Sequence, residues 1–280
     1  MRRALTPGAA GGRRRRILAV GSASLLALTV TAALAARALP FDPVEFDLGQ
    51  ALEPPTWSRP LGNDELGRDL LTRIVYGART SLGIAVGAVS LAALVGTVFG
   101  VLSGFVGGRL DAAVMQAVNV TLSFPAVLLA LLMVVIVGQG VANLMLAIAL
   151  QALPGYVRLV RGLVLSVRAN DYVDAARALG CTPVRIVAYY ILPNVLAPMA
   201  VQSTFLLAAS VQLTAGLSFL GIGVPPPTPE WGAILAGGRN YLSLAPHITL
   251  APGLVLLVVL LALNFLGDTL RDALDPRVRL

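Results

Sequence analysis

The chain's stock of chemically reactive side chains is small, and its gaps exclude whole reaction classes. All 21 basic residues are Arg, with no Lys. A P-loop needs a lysine to reach the phosphates, so no standard ATP-binding site can form on this chain alone. Schiff-base chemistry is excluded with it. Cys181 and His247 are each the sole residue of their type, which rules out a disulfide framework, zinc-ligand clusters and H-E-x-x-H. One nucleophile and base could still pair: Ser218, in the Gly216-Leu217-Ser218 setting, with His247 on another segment, as in an intramembrane serine protease. However, His247 follows Pro246 at the start of an apolar run, which places it at an interface. That pairing also leaves the most patterned loop of the chain without a role. No catalytic residue and no metal site is expected.

The remaining polar residues of interest stand inside apolar runs, and their positions depend on the elements those runs form. The 280 residues are 57% hydrophobic and 12% charged, with a mean hydropathy of +0.82. Soluble domains carry about 25% charged residues. Here the charges cluster and leave neutral runs at 17–36, 80–108, 112–157, 186–229 and 240–267. About 20 apolar residues cross a bilayer core as a helix, so the chain reads as an all-α polytopic membrane protein with six transmembrane helices.

Residues 1–16 read as a cytoplasmic Arg-rich tail, with Arg2, Arg3 and Arg13–Arg16, and 17–39 as the first span. The run is longer than a signal-peptide core of roughly 7–15 residues, so it reads as uncleaved. Residues 40–80 lie outside, rich in acids and prolines. Leu66, Leu70, Leu71 and Ile74 within them suggest a short amphipathic surface helix. The core, 81–267, holds spans at about 81–106, 113–137 with a kink at Pro125, 142–164, 193–216 and 247–267. Gly138-Gln139-Gly140 separates the third from the fourth. Gly96, Gly100 and Gly104 give two G-x-x-x-G spacings, which suit a close helix seam. A tail at 268–280 returns to the cytoplasm. Assigned cytoplasmic parts hold fifteen Arg and six acids, and outer parts, leaving out Arg37 at a membrane edge, five Arg and eight acids. This asymmetry, and not nucleic-acid binding, accounts for the net charge of +7. Membrane lipid is the expected partner of the spans. No charge falls in the middle of an assigned span, which argues against a stand-alone ion-coupled carrier. Asn119, Gln151, Gln202 and Gln212 are the polar candidates for lining a path. Trp231 and Tyr241, in the last outer loop, read as an interfacial belt or as a contact for an outside protein.

The loop 166–193 is the patterned one. Asn170 or Asp171 can start a helix, Tyr172–Leu179 continues it, and Gly180 suits its left-handed close. Thr182-Pro183 restarts a second helix, and Pro193 breaks or kinks it. The product is a helix–Gly–helix elbow on the cytoplasmic face.

This loop resembles the "EAA" loop of bacterial ABC-importer permease subunits. Ala175-Ala176, Gly180 and Leu192-Pro193 keep that family's spacing, while Asp174 stands where Glu is usual and Tyr190 where Ile is usual. Leu61–Leu70, Arg73–Leu82, Ala215–Val224, Pro226–Gly232 and Asn264–Pro276 are similar to further stretches of the dipeptide/oligopeptide/nickel branch, and within it to the "C" subunit type. The resemblance spans 61–276.

It implies a type I (MetI-like) importer fold in a bacterial inner membrane, with both termini cytoplasmic. It implies half of a translocation pore for peptides or a related solute, beside a homologous second permease. Two cytoplasmic ATPases would hold the ATP and Mg, and an extracytoplasmic binding protein would deliver substrate. The chain itself would bind no cofactor. ATPase coupling would fall to Asp171, Tyr172, Asp174, Ala175, Ala176, Arg177, Leu179, Gly180, Pro183, Leu192 and Pro193.

Overall fold

The computed structural model describes residues 9–274, with backbone alone for 9–19, 37 and 38. The arginine-rich tail side chains and residues 275–280 therefore lie outside the described residues. Among the described residues the regular structure is helical, apart from one isolated bridge between Asn63 and Asp69.

Helix α1 (Ala9–Leu34) leads through a short 3-10 turn into the segment 39–69. That segment is irregular but tightly bonded. The Asp64 carboxylate accepts from the backbone of Leu66 and Arg68 and pairs with the Arg68 guanidinium at 2.7 Å. The turn it builds passes through Gly67 at φ +75°. Consequently no separate surface helix forms around Leu66. Asp69 caps the chain instead, its carboxylate accepting from Thr72 N at 2.7 Å, and α2 (Leu70–Val106) runs unbroken for 37 residues. Leu70, Leu71 and Ile74 belong to its first turns.

Helix α2 packs along α5 (Val141–Arg168) through the predicted glycine seam. Gly96, Gly100 and Gly104 lie against Tyr156, Val160 and Val164, one pair per turn. The seam is thus within the chain. Without a hydrophobic drive between helices in lipid, close backbone approach supplies the packing.

Between them, the third span departs from expectation. Helix α3 (Gly108–Leu122) and helix α4 (Ala126–Val137) meet at 90°, where a kink at Pro125 was expected. Pro125 has no N–H to continue the ladder, and Ser123 turns back to bond Asn119 O at 3.1 Å, which closes α3 before Pro125. Gly138 and Gly140 at positive φ make the predicted break before α5.

After α5 come α6 (Asp171–Ala178) and α7 (Pro183–Ile186), then a π-helical stretch, Val187–Ile191, and α8 (Leu192–Phe219). Pro193 does not break this run. It sits at the start of α8, where a missing N–H costs least, and the π stretch absorbs the mismatch. The span and the second helix of the elbow form one 37-residue helix, Pro183–Phe219. Helix α9 (Trp231–Gly238) and helix α10 (His247–Leu274) complete the chain, α10 continuing past the expected end at 267.

Among the described residues, four helices are long and apolar enough to cross a membrane: α2, α5, the Pro183–Phe219 run and α10. The bent α3–α4 pair passes the same test as one broken span, and α1 contributes an apolar stretch at Val20–Leu34.

Candidate coupling elbow and path face

The elbow's geometry follows from local chemistry. Asn170 sits at the N-cap of α6, but its amide donates backward to Val167 O at 3.0 Å and so closes α5. Asp171 and Asp174 occupy the first turn of α6, where a helix N-terminus favours acids. At the other end, Cys181 N bonds Ala176 O at 3.0 Å and Gly180 N bonds Arg177 O at 2.9 Å. This double closure needs a left-handed residue, and Gly180 supplies it at φ +77°. Thr182 then caps α7 and Pro183 takes its first position.

Two faces result. Val173 and Ala176 turn inward and are buried with Val164, Ile186, Ile191 and Val195. Asp171, Tyr172, Asp174, Ala175, Arg177, Leu179, Gly180 and Pro183 are exposed. The structure therefore gathers these predicted coupling residues into one protruding turn. Ala176 holds that turn to the bundle from its buried side, and Leu192 and Pro193 lie beyond it at the foot of α8. Arg177 pairs with Asp174 at 2.9 Å, and the Tyr172 and Tyr190 rings stack with centroids 6.5 Å apart.

Sequence reasoning missed two exposed apolar residues on the same protrusion. Val184 is 79% exposed and Tyr189 74%, comparable with Leu179 at 85%. They are five positions apart, as are the buried Ile186 and Ile191. A 3.6-residue period cannot find that pattern, because it belongs to the π stretch.

Above the elbow, arginines of α5 fasten the α2–α3 turn. Arg161 binds both oxygens of Asp111, at 2.5 and 2.7 Å, and Ser103 donates to the same carboxylate. Arg168 donates to Phe105 O at 2.8 Å, satisfying an end carbonyl of α2. Both arginines, and Arg158, lie on α5 itself, so the reading of charge-free spans is corrected there.

The four path candidates are dispersed. Asn119 accepts from Arg158 at 2.9 Å, and Gln151 is half-buried higher on α5. Gln212 is exposed in a groove with Val127 at the foot of α4. Gln202 is half-buried in a groove of α8 and α10 beside Phe205 and Arg271.

Ser218 and His247 each have a structural partner. The buried Ser218 hydroxyl accepts from Val224 N at 3.3 Å, and His247 Nε2 lies 3.3 Å from Asn63 O. Trp231 is neither an interfacial belt residue nor an outer contact. It is fully buried, and its indole donates to Ile74 O at 2.9 Å. Beside it the fully buried Glu230 accepts from Ser81 Oγ at 2.8 Å and from Ala233 N at 3.0 Å. These bonds pin α9 into the bundle, a role the loop's proline content gave no hint of.

The comparisons bear on this arrangement. The family model described as "Binding-protein-dependent transport system inner membrane component" matches residues 96–280. The "Di/tripeptide transport system permease protein DppC" of Pseudomonas aeruginosa is 41% identical, over 93% of this chain and 88% of that one. The "Glutathione transport system permease protein GsiD" of Pectobacterium atrosepticum is 37% identical, over 95% and 89%. An inward-facing structure of the MetNI methionine ABC transporter shares the fold, with a TM-score of 0.61 at 22% identity. It covers 74% of this chain and 98% of its own.

Proposed function

The chain belongs to the binding-protein-dependent transport system inner membrane component family, and from that premise we propose that it forms half of a peptide importer's translocation pore. It is a permease subunit of the type I ABC-importer fold and carries no ATPase site of its own. The pore's other half is a homologous second permease. Two cytoplasmic ATPases, which bind the ATP and Mg, seat the elbow, and an extracytoplasmic binding protein delivers substrate. The termini face the cytoplasm and the outer segment faces away from it.

The observation that carries this reading is the elbow: a protruding, Gly180-closed turn with exposed Leu179 and Val184, continuous with a spanning helix. An exposed apolar turn suits a protein groove, and a continuous helix passes its displacement into the membrane. Di- and oligopeptides are the proposed solutes, on the strength of the relatives' names. The test is affinity purification of the tagged chain from mild-detergent membranes, followed by uptake of labelled di- and tripeptides by the reconstituted complex. Co-purification of a second permease and Walker-motif ATPases, with ATP-dependent uptake, is the expected result. Recovery of this chain alone under crosslinking would overturn the reading.

A further inference from the structure

Two features of the third and fourth spans place polar groups where hydrocarbon would make them costly. The first is Arg158. Helix α5 has 28 residues, about 42 Å at 1.5 Å per residue, against a hydrocarbon core of about 30 Å. Centred, it overhangs by about 6 Å at each end. Arg158 lies ten residues before Arg168, about 15 Å along the axis and so about 9 Å inside the core. It is exposed on the chain, and it reaches sideways to Asn119 Oδ1 at 2.9 Å. Unlike Arg161, it has no carboxylate partner among the described residues. Ionisable groups at such depth face protein or water-filled space, not lipid.

The second is the break between α3 and α4. Helix α4 has 12 residues, so the break lies about 18 Å below its outer end, inside the same core. Ser123, Phe124 and Pro125 are exposed there. Irregular backbone at membrane depth is tolerated where protein covers it or where it lines a water-filled cavity. The two features are joined: Asn119 O accepts from Ser123 N at 3.1 Å and from Ser123 Oγ at 2.9 Å, and the same residue's side chain binds Arg158.

We propose that the α3–α4 break and the Arg158–Asn119 pair line a water-filled stretch of the translocation path, in which Arg158 is the cation that receives a carboxylate of the passing solute. This rests on the importer reading. The rest of Arg158's donor fork is open to a carboxylate, which it matches in geometry. Asn119 holds the guanidinium toward α3 and keeps it from reaching to the inner headgroups.

The test uses the full complex with Cys181→Ser, then Ser123→Cys or, separately, Thr121→Cys. Each is treated with an anionic (sulfonate) and a cationic (trimethylammonium) thiol reagent, with and without ATP. Co-purification of the partner subunits reports folding, so failure of assembly is read separately from failure of labelling. Labelling of at least one position with the anionic reagent favoured, and a fall of about sevenfold in that preference on Arg158→Gln, is the expected result. That is the size expected of one unit charge acting through water over roughly 7 Å on reagents of opposite sign. No labelling at either position in any nucleotide state would overturn the water-filled path. A preference unchanged by Arg158→Gln would overturn the role of Arg158.

Discussion

Gly100→Ala is the sharpest probe of the α2–α5 seam. A Cβ at this position would stand 2.6 Å from Val160 Cβ and 2.9 Å from Val157 O. Carbon contacts settle at about 3.5–4.0 Å, so the helices must part by about 1 Å. Overpacking of this kind costs about 1–3 kcal/mol, against which alanine recovers up to about 1 kcal/mol of helix propensity. A net loss of about 1–2 kcal/mol is expected, with a drop in melting temperature of about 2–4 °C per kcal/mol. Gly83 supplies the control on the same helix, because a Cβ there meets nothing within 4 Å. Gly83→Ala should leave the melting temperature unchanged or raise it. The assay is thermal unfolding of the chain purified in mild detergent. Equal melting temperatures for Gly100→Ala and Gly83→Ala would refute the seam as the source of packing.

Two further outcomes follow from the elbow and from the pinned helix α9. At Gly180 a Cβ meets nothing within 4 Å among the described residues, but φ is +77°, so the cost of substitution there is the left-handed strain alone, about 1 kcal/mol. Gly180→Asn should therefore keep most uptake, whereas Gly180→Glu should abolish it while the subunit stays in the membrane at normal level; normal uptake by Gly180→Glu would count heavily against elbow docking. Glu230→Ala should lower the melting temperature through a loss of about 2–4 kcal/mol, because it strands the buried Ser81 hydroxyl and the Ala233 N–H and removes a helix cap. An unchanged melting temperature would remove Glu230 from the structural core.

What could be read from the sequence was what one residue type decides. Neutral run length located the long helices, since the bilayer sets their minimum. Gly180 and Thr182-Pro183 announced the elbow because only a few residues close or open a helix in that way. Gly96, Gly100 and Gly104 announced a seam because small residues at that spacing have few other uses in lipid. The rest depended on partners distant in the chain. The surface helix around Leu66 had the right period, but the Asp64 side chain outcompeted it for the backbone N–H groups of Leu66 and Arg68. The 90° turn at Ser123–Pro125 exceeds what a proline alone signals, because Ser123 closes α3 from behind. Trp231 looked interfacial by composition and is core, since its donor finds Ile74 O 157 positions away. Ala176 was read with Ala175 as one contact surface, although adjacent residues on a helix point about 100° apart.

The unbroken run from Pro183 to Phe219 has a mechanical consequence. At 1.5 Å per residue its 37 residues make a rod about 55 Å long. A tilt of about 5° imposed at the foot carries the far tip sideways by about 5 Å, close to the width of an extended strand. The elbow thus has no need to move far to swing the outer rim. The least regular point of the rod, the π stretch at Val187–Ile191, lies next to the driven end. Softness placed there would blunt only the start of the stroke, and the next point of give is Pro198 inside α8, about two turns further on and still in the lower half of the rod.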